Sequence, residues 1–431
     1  MNTRRSFLQR ALAFGAGALS LPALATAELE SASARARRTP ASQPLPVVTP
    51  DIPKLPYTMD GGVKVFHLIA EPLKRELMPG RMIDVWGYNG VCPGPTIEAN
   101  RGDRVRIILE NRLPEPTTMH WHGLEIPIRM DGMPYISQKP IAPGDRFVYE
   151  FALDQDGTFF YHSHGAMQEM MGMVGMFILH PREAYTPRVD HDFGLVLQEW
   201  ALLPNNSVPN TASMEFNWLT INGKAAPATT PLVVRQGNRV RIRMVNLGID
   251  HHPVHLHGNT FVVTGSEAGR QPESTWGPGN TVLVGVAQAR DIEFVASNPG
   301  DWMVHCHLPH HMMNSMMDLL SERAISTTPL STKQAGEQMN SMTAQGQAME
   351  MAPGEEEGIA SNAAAVPGFP QDGLMEMAMD RAVDTGPEFM ELPPGWSAGM
   401  QGMMTLMRIM PPEQYDRYVA AKAQHNAGVG R

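Results

Sequence analysis

Cysteine is almost absent from this sequence: Cys92 and Cys306 are the only two in 431 residues. At most one disulfide can form, so a fold stapled by many disulfides is excluded. That one bond would consume a cysteine set between two histidines. Charge is also sparse, at 18% of residues, and it leans acidic, with 34 Lys and Arg against 44 Asp and Glu and a net charge of -10. A nucleic-acid binder needs a basic face to neutralise phosphates, and this composition argues against one. Beyond residue 24 no apolar run reaches the ~18 residues a membrane-spanning helix requires. Low charge, together with 39 glycines and 37 prolines, favours strands and turns over a helix bundle.

What is present begins with an address. Thr3-Arg4-Arg5-Ser6-Phe7-Leu8-Gln9 precedes an apolar run from Ala11 to Leu24, and Ala25-Thr26-Ala27 follows. This reads as a twin-arginine export signal over residues 1–27 and predicts a periplasmic or secreted protein. Residues 28–55, rich in Ala, Ser, Pro and Arg, read as a flexible lead-in.

The body is duplicated. Gly102-Asp103-Arg104-Val105-Arg106-Ile107 and Gly237-Asn238-Arg239-Val240-Arg241-Ile242 lie 135 residues apart. His120-Trp121-His122-Gly123 and His255-Leu256-His257-Gly258 share that offset. Further on, Gly157 to His164 matches Gly300 to His307. Branched apolar runs at Val105–Leu109 and Val240–Val245, and alternation at Phe147–Phe151 and Asp291–Val295, read as strands, with turns at Pro143-Gly144-Asp145 and Pro299-Gly300-Asp301 between them. Two β-sandwiches are expected, over about 56–182 and about 188–325.

Four His-x-His pairs fall on these strands. Residues i and i+2 of a strand share a face about 6–7 Å apart, so each pair presents two imidazoles side by side. Eight imidazoles exceed the need of one tetrahedral ion and imply a cluster of metals. Cys306 points the other way between His305 and His307; its counterpart is Ser163. Past it come His311 and Met316, and His252 upstream offers another imidazole. Two histidines, a cysteine and a weak axial methionine make a blue-copper site. The counterpart of His252 is Thr117, so the first half lacks both donors.

The constellation resembles the multicopper oxidases, the laccase family, in HWHG at 120–123, HSH at 162–164, HPVHLHG at 252–258 and HCHLPHHMMNSM at 305–316. The resemblance implies an all-β fold of two cupredoxin-like Greek-key sandwiches and four coppers per chain. Type 1 ligands would be His252, Cys306, His311 and Met316. His120 and His255 would hold type 2 copper, and His122, His162, His164, His257, His305 and His307 the type 3 pair. Electrons would enter at Cys306 and cross through His305 and His307 to the cluster, where dioxygen becomes water. Asp131 reads either as a proton donor to the cluster or as an aspartate fixing the turn before Gly132. His251 and His310, beside two of the assigned ligands, are the rivals that spacing disfavours.

The two halves are adjacent, with no room for a middle domain. This resembles the two-domain subclass, whose cluster forms between subunits of a homotrimer. Residues 326–431 form a tail with thirteen methionines from Met339 to Met410, expected to be disordered or partly helical, with a helix over about 400–423. Its thioethers either fill gaps or capture Cu(I). Isolated histidines (His67, His180, His191, His425) read as structural, and Cys92 as a buried thiol. The implied reductants are phenols and aromatic amines, or a metal ion such as Cu(I). A copper nitrite reductase has no use for eight cluster histidines, and a copper-binding protein without activity would be expected to have lost ligands.

Overall fold

The computed structural model describes residues 44–165, 167–203, 205–313, 379–383 and 386–429. The expected export signal, the start of the lead-in, Met316 and the methionines of 339–377 lie outside these residues. No helix among the described residues is long and apolar enough to cross a membrane.

The strands form where the branched apolar runs lie. In Arg104–Asn111 burial alternates, with Val105, Ile107 and Leu109 turned into the core, as the two-residue period of a strand dictates. This strand sits between Val63–Met78 and Arg146–Ala152 in a five-stranded sheet. The second sheet runs Gly94–Asn100, Val174–His180, Gly157–Ser163, Met119–His122 in spatial order. Phe66 and Ile107 from one and Ile97 and Phe177 from the other share a single core. The second sandwich repeats the plan. One sheet is centred on Arg239–Asn246 between His191–Trp200 and Gln288–Val295. The other runs Leu232–Arg235, Met404–Met410, Gly300–Cys306, His252–Leu256, Thr281–Val284.

Three expectations need correction. Met404–Met410 is a strand lying between Leu232–Arg235 and Gly300–Cys306, so the second sandwich is not confined to 188–325. The helix begins only at Pro412 and runs to Val429, where proline suits a first helical turn. The lead-in is packed from its forties onward: Val47, Ile52 and Leu55 are buried, and Val48 and Lys54 bridge to Phe193 and Thr96 respectively. The two cysteines are both free and buried; Cys92 donates weakly to the Gly172 carbonyl at 3.4 Å. Within the tail, Met400, Met403, Met404, Met407 and Met410 are buried; for Met400, Met404, Met407 and Met410 this is the gap-filling use of methionine.

The sandwiches meet across an apolar layer that includes Phe160, Met176, Val196 and Val245 and a buried ionic seam. Arg243 reaches Asp192 at 2.7 Å and Thr158 at 2.8 Å, and Thr158 donates to Asp291 at 2.7 Å. Arg241 binds Glu293 at 2.7 Å and Asp192 at 3.1 Å. Paired and hydrogen-bonded this way, the buried charges offset the desolvation cost that a lone one would bear uncompensated. Met407 is fully buried in the inserted strand. Met407→Ala should therefore cost about 2–5 kcal/mol of unfolding free energy in urea titration; a loss well under ~1 kcal/mol would mean the strand is dispensable to the sandwich.

Candidate metal centre

Histidine pairs reach one another through strand register. His120 lies opposite His162 across the ladder, and His255 opposite His305. The first quartet gathers His120, His122, His162 and His164, with ring centroids 5.3–5.9 Å apart in contact. The second gathers His255, His257, His305 and His307, the equivalent pairs 4.7–5.7 Å apart. Burial matches as well. His162 and His305 are buried, His164 and His307 exposed, and the other four half-buried. Among the described residues, no imidazole of one quartet makes a ring contact or hydrogen bond with one of the other. Each quartet has one exposed imidazole, His164 in the first and His307 in the second.

Ring orientation is set from behind. The Asp131 carbonyl lies 2.8 Å from His120 Nδ1, and the Asn280 carbonyl 2.7 Å from His255 Nδ1. His162 and His305 each place Nδ1 2.9 and 2.8 Å from the carbonyl of the following residue. A carbonyl can only accept, so each Nδ1 carries the proton and each Nε2 keeps its lone pair for a metal. The side chain of Asp131 lies 3.5 Å from His120 Nδ1. Burial pushes His122 down to about 4, aided by His162 and His120. Burial also lowers His120, His257 and His305. His162 goes up: burial opposes its charge, but Glu169, 3.3 Å away, outweighs it. Neutral imidazoles are the form that binds metal.

On the opposite face of the same strand lies a closed pocket. Cys306 Sγ is 3.4 Å from His311 Nδ1 and 3.7 Å from His252 Nδ1, and the two Nδ1 atoms are 3.2 Å apart. All three residues are buried. Here the rings turn the other way. His252 Nε2 is 2.9 Å from the fully buried carboxylate of Glu199, which also accepts from the Asp250 amide at 2.7 Å. Nδ1 of His252 is thereby left for a metal. Asp250 lies 3.3 Å from His311 Nε2, within ion-pair distance but off the line of a hydrogen bond. His251 is exposed and its Nδ1 accepts from the Val286 amide at 3.1 Å; His310 is exposed beside His311. Of the rival pairs, His252 and His311 face the thiol. Burial pushes the Cys306 thiol up to about 12 and His311 down to about 3.

The first sandwich holds the same pocket with other atoms. Thr117 Oγ1 lies 3.1 Å from Ser163 Oγ and donates to Gln168 Oε1 at 2.7 Å, and Ser163 donates to the same oxygen. Gln168 stands five residues past Ser163, as His311 stands past Cys306. A hydrogen-bonded triad thus fills the place of the thiolate site. Thr117 and Ser163 are legible from the sequence; Gln168, Glu169, Glu199 and Asp250 emerge only from the fold. Only Gln168 carried a spacing cue; the carboxylates arrive from elements that sequence does not place beside the histidines. Isolated His180 is satisfied by Glu98 at 2.7 Å.

The donor atoms fit copper. The buried pocket offers two nitrogens and a soft sulfur, and the open quartets offer imidazole nitrogens. Two outcomes follow. Glu199→Gln should weaken copper binding at the Cys306 pocket about 10–100-fold, as read by the decline of thiolate-to-copper absorbance in a chelator competition. Loading the pocket displaces one proton from Cys306 and none from His311. Apparent affinity should therefore rise about tenfold per pH unit from about pH 7 to about 8.5; a flat profile would show the thiol already ionised.

Comparison with known proteins agrees with this geometry. Residues 73–184 and 202–324 each match a multicopper oxidase domain model. Over 112 residues the chain is 40% identical to copper resistance protein A of Escherichia coli, covering 26% of this chain and 18% of that protein. Over 238 residues it is 31% identical to Laccase-2 of Botryotinia fuckeliana, covering 50% and 40%. The chain thus spans less than half the length of these curated relatives. Its fold matches the blue copper oxidase of Nitrosomonas europaea with a TM-score of 0.55 at 31% identity, over 58% of this chain and 81% of that one. With its duplicated sandwiches and its histidine and thiol donor sets, this chain belongs to the multicopper oxidase family.

Proposed function

We propose that the protein oxidises a small reductant one electron at a time and reduces dioxygen to water with the electrons collected. One observation carries the reading. The strand Gly300–Cys306 ends with His305 in the open quartet and Cys306 in the closed pocket, one peptide bond apart. Copper, four ions per chain, supplies the one-electron redox chemistry and the reduction of dioxygen when bound. His252, Cys306 and His311 would hold the type 1 ion together with a methionine. His120 and His255 would hold type 2, and His122, His162, His164, His257, His305 and His307 would hold the type 3 pair.

Each residue has its own part. Burial of Cys306 keeps water from the thiolate. Glu199 fixes the His252 ring so that it meets the ion through Nδ1. His305 and His307 join the two sites covalently through Cys306. The Asp131 carbonyl orients His120, and its half-buried carboxylate, behind the same ring at 3.5 Å from Nδ1, is the proton donor we propose for the cluster. The quartets of one chain do not touch, and each is open. A head-to-tail contact that closes would bring the first quartet of one chain to the second of the next. We infer a homotrimer with interchain copper clusters, exported through the twin-arginine route to the periplasm or beyond.

Phenols and aromatic amines are the reductants expected of laccase-like relatives. Cu(I) is the second reading, favoured by the match to copper resistance protein A. Eight paired imidazoles argue against a nitrite reductase.

Purified protein should bind four coppers per chain, show an intense blue band and take up oxygen when a reductant is supplied. Cys306→Ser should bleach the band and abolish oxidation of every reductant; full activity in that variant would overturn electron entry at Cys306. Sedimentation should give three chains per particle. Two coppers per chain with reduction of nitrite and indifference to oxygen would replace the proposal.

A further inference from the structure

The second sandwich follows the first at an offset of 135 residues through its first histidine pair and of 143 from Gly300 to His311, and there the spacing changes far more. Ser163 and Cys306 correspond at an offset of 143, and so do Gln168 and His311. Continued at that offset, Met173 would fall on Met316, the methionine that the motif spacing selects. The backbone selects another. In the first sandwich the Ser163 amide donates to the Met173 carbonyl at 3.0 Å, and the Met173 amide reaches the Gln168 carbonyl at 3.3 Å. In the second, the Cys306 amide donates to the Met403 carbonyl at 3.0 Å, and the Met403 amide to the His311 carbonyl at 2.9 Å. Met403 occupies the place of Met173.

The strands that follow agree. Gly157 pairs with Leu179 and His162 with Val174; Gly300 pairs with Ile409 and His305 with Met404. On the parallel side Ile97 pairs with Phe177 and Asn100 with His180; Leu232 pairs with Met407 and Arg235 with Met410. Every second-sandwich partner from the tail lies 230 residues beyond its counterpart. The approach to the methionine is repeated too, as Met170-Met171-Gly172-Met173 and Met400-Gln401-Gly402-Met403. Both glycines have positive φ, +106° and +65°. A Cβ on Gly172 would strike Cys92 Sγ, and one on Gly402 the His311 carbonyl oxygen. The chain passes tightly against the metal pocket here.

We propose that Met403, rather than Met316, is the axial thioether donor of the Cys306 copper site. The proposal rests on the reading that copper occupies this pocket. Met403 is fully buried and packs in the same apolar cluster as Cys306. Its backbone is hydrogen-bonded to Cys306 on one side and His311 on the other, so two donors fix its position. A weak, long bond from sulfur suits a residue held by its backbone more than by the metal. Five residues separate Gln168 from Met173, whereas ninety-two separate His311 from Met403. The intervening segment is then an insertion between the third and fourth ligands of one metal.

The test compares copper-loaded wild type with Met403→Leu, Met403→Gln and Met316→Leu, by optical absorption, electron paramagnetic resonance and reduction potential. Met403→Leu nearly conserves volume, so the fold should persist, and circular dichroism of the metal-free proteins checks this. Removing the thioether should raise the potential, and an amide oxygen should lower it; both should alter the copper hyperfine pattern. Met316→Leu should leave spectrum and potential as in wild type, and it answers the question even if a Met403 variant unfolds. A changed spectrum in Met316→Leu, or unchanged properties in both folded Met403 variants, overturns the assignment. A wild type with no blue band would instead defeat the reading of the pocket itself.

Discussion

Consecutive side chains of a β-strand leave it on opposite faces, and the metal chemistry of this protein depends on that constraint. Cys306 faces the closed pocket with His252 and His311, while His305 faces the open quartet. No loop has to carry one site toward the other, because a single extended backbone belongs to both. The core of the second sandwich includes Cys306, so the thiol is held by the same packing that stabilises the fold. Rigidity of this kind suits electron transfer, in which a site should change shape little between oxidation states.

Duplication accounts for the symmetry of the quartets, and divergence for their difference. The five ring contacts of one quartet recur in the other, with the same gradation of burial. Behind them, the Thr117–Ser163–Gln168 triad and the His252–Cys306–His311 set occupy matching positions. The hydroxyls of the triad donate to Gln168 Oε1, and Gln168 Nε2 donates outward to Glu115 at 2.7 Å and to the Pro116 carbonyl at 2.9 Å. A buried pocket without metal donors must still pair its polar atoms, and these three residues do so. The first sandwich has the geometry of the second's pocket without its nitrogen and sulfur donors.

Much of this was legible in the sequence, because His-x-His on a strand has only one geometric meaning. The branched strands, the duplicated halves and the choice of His252 and His311 all followed from spacing. Met404–Met410 was not legible. All seven of its residues are buried, so it lacks the alternation that marks a strand with one wet face. Methionine and leucine there also favour helix by local preference. Its partners Gly300–Cys306 are about a hundred residues away, beyond the reach of any local pattern. The lead-in misled for a different reason. Its composition is that of a linker, and three apolar residues, Val47, Ile52 and Leu55, were enough to seat it. Glu199 was hidden because a buried carboxylate next to tryptophan has no motif until His252 is placed beside it.

The inserted strand sets an order of assembly. Met404–Met410 lies between two strands of its sheet, so until it arrives Leu232–Arg235 and Gly300–Cys306 have no ladder partner on their facing edges. A ribosome making this chain has already released both neighbours when it begins the strand that joins them. Contacts so distant along the chain are slow to form, since the loop must close before they are rewarded. The first sandwich has all its strands within one continuous stretch and is free to fold early. The second waits, and the thiol pocket is finished last. Cys306 therefore leaves the ribosome about a hundred residues before the strand that covers it, and that closing strand ends its exposure.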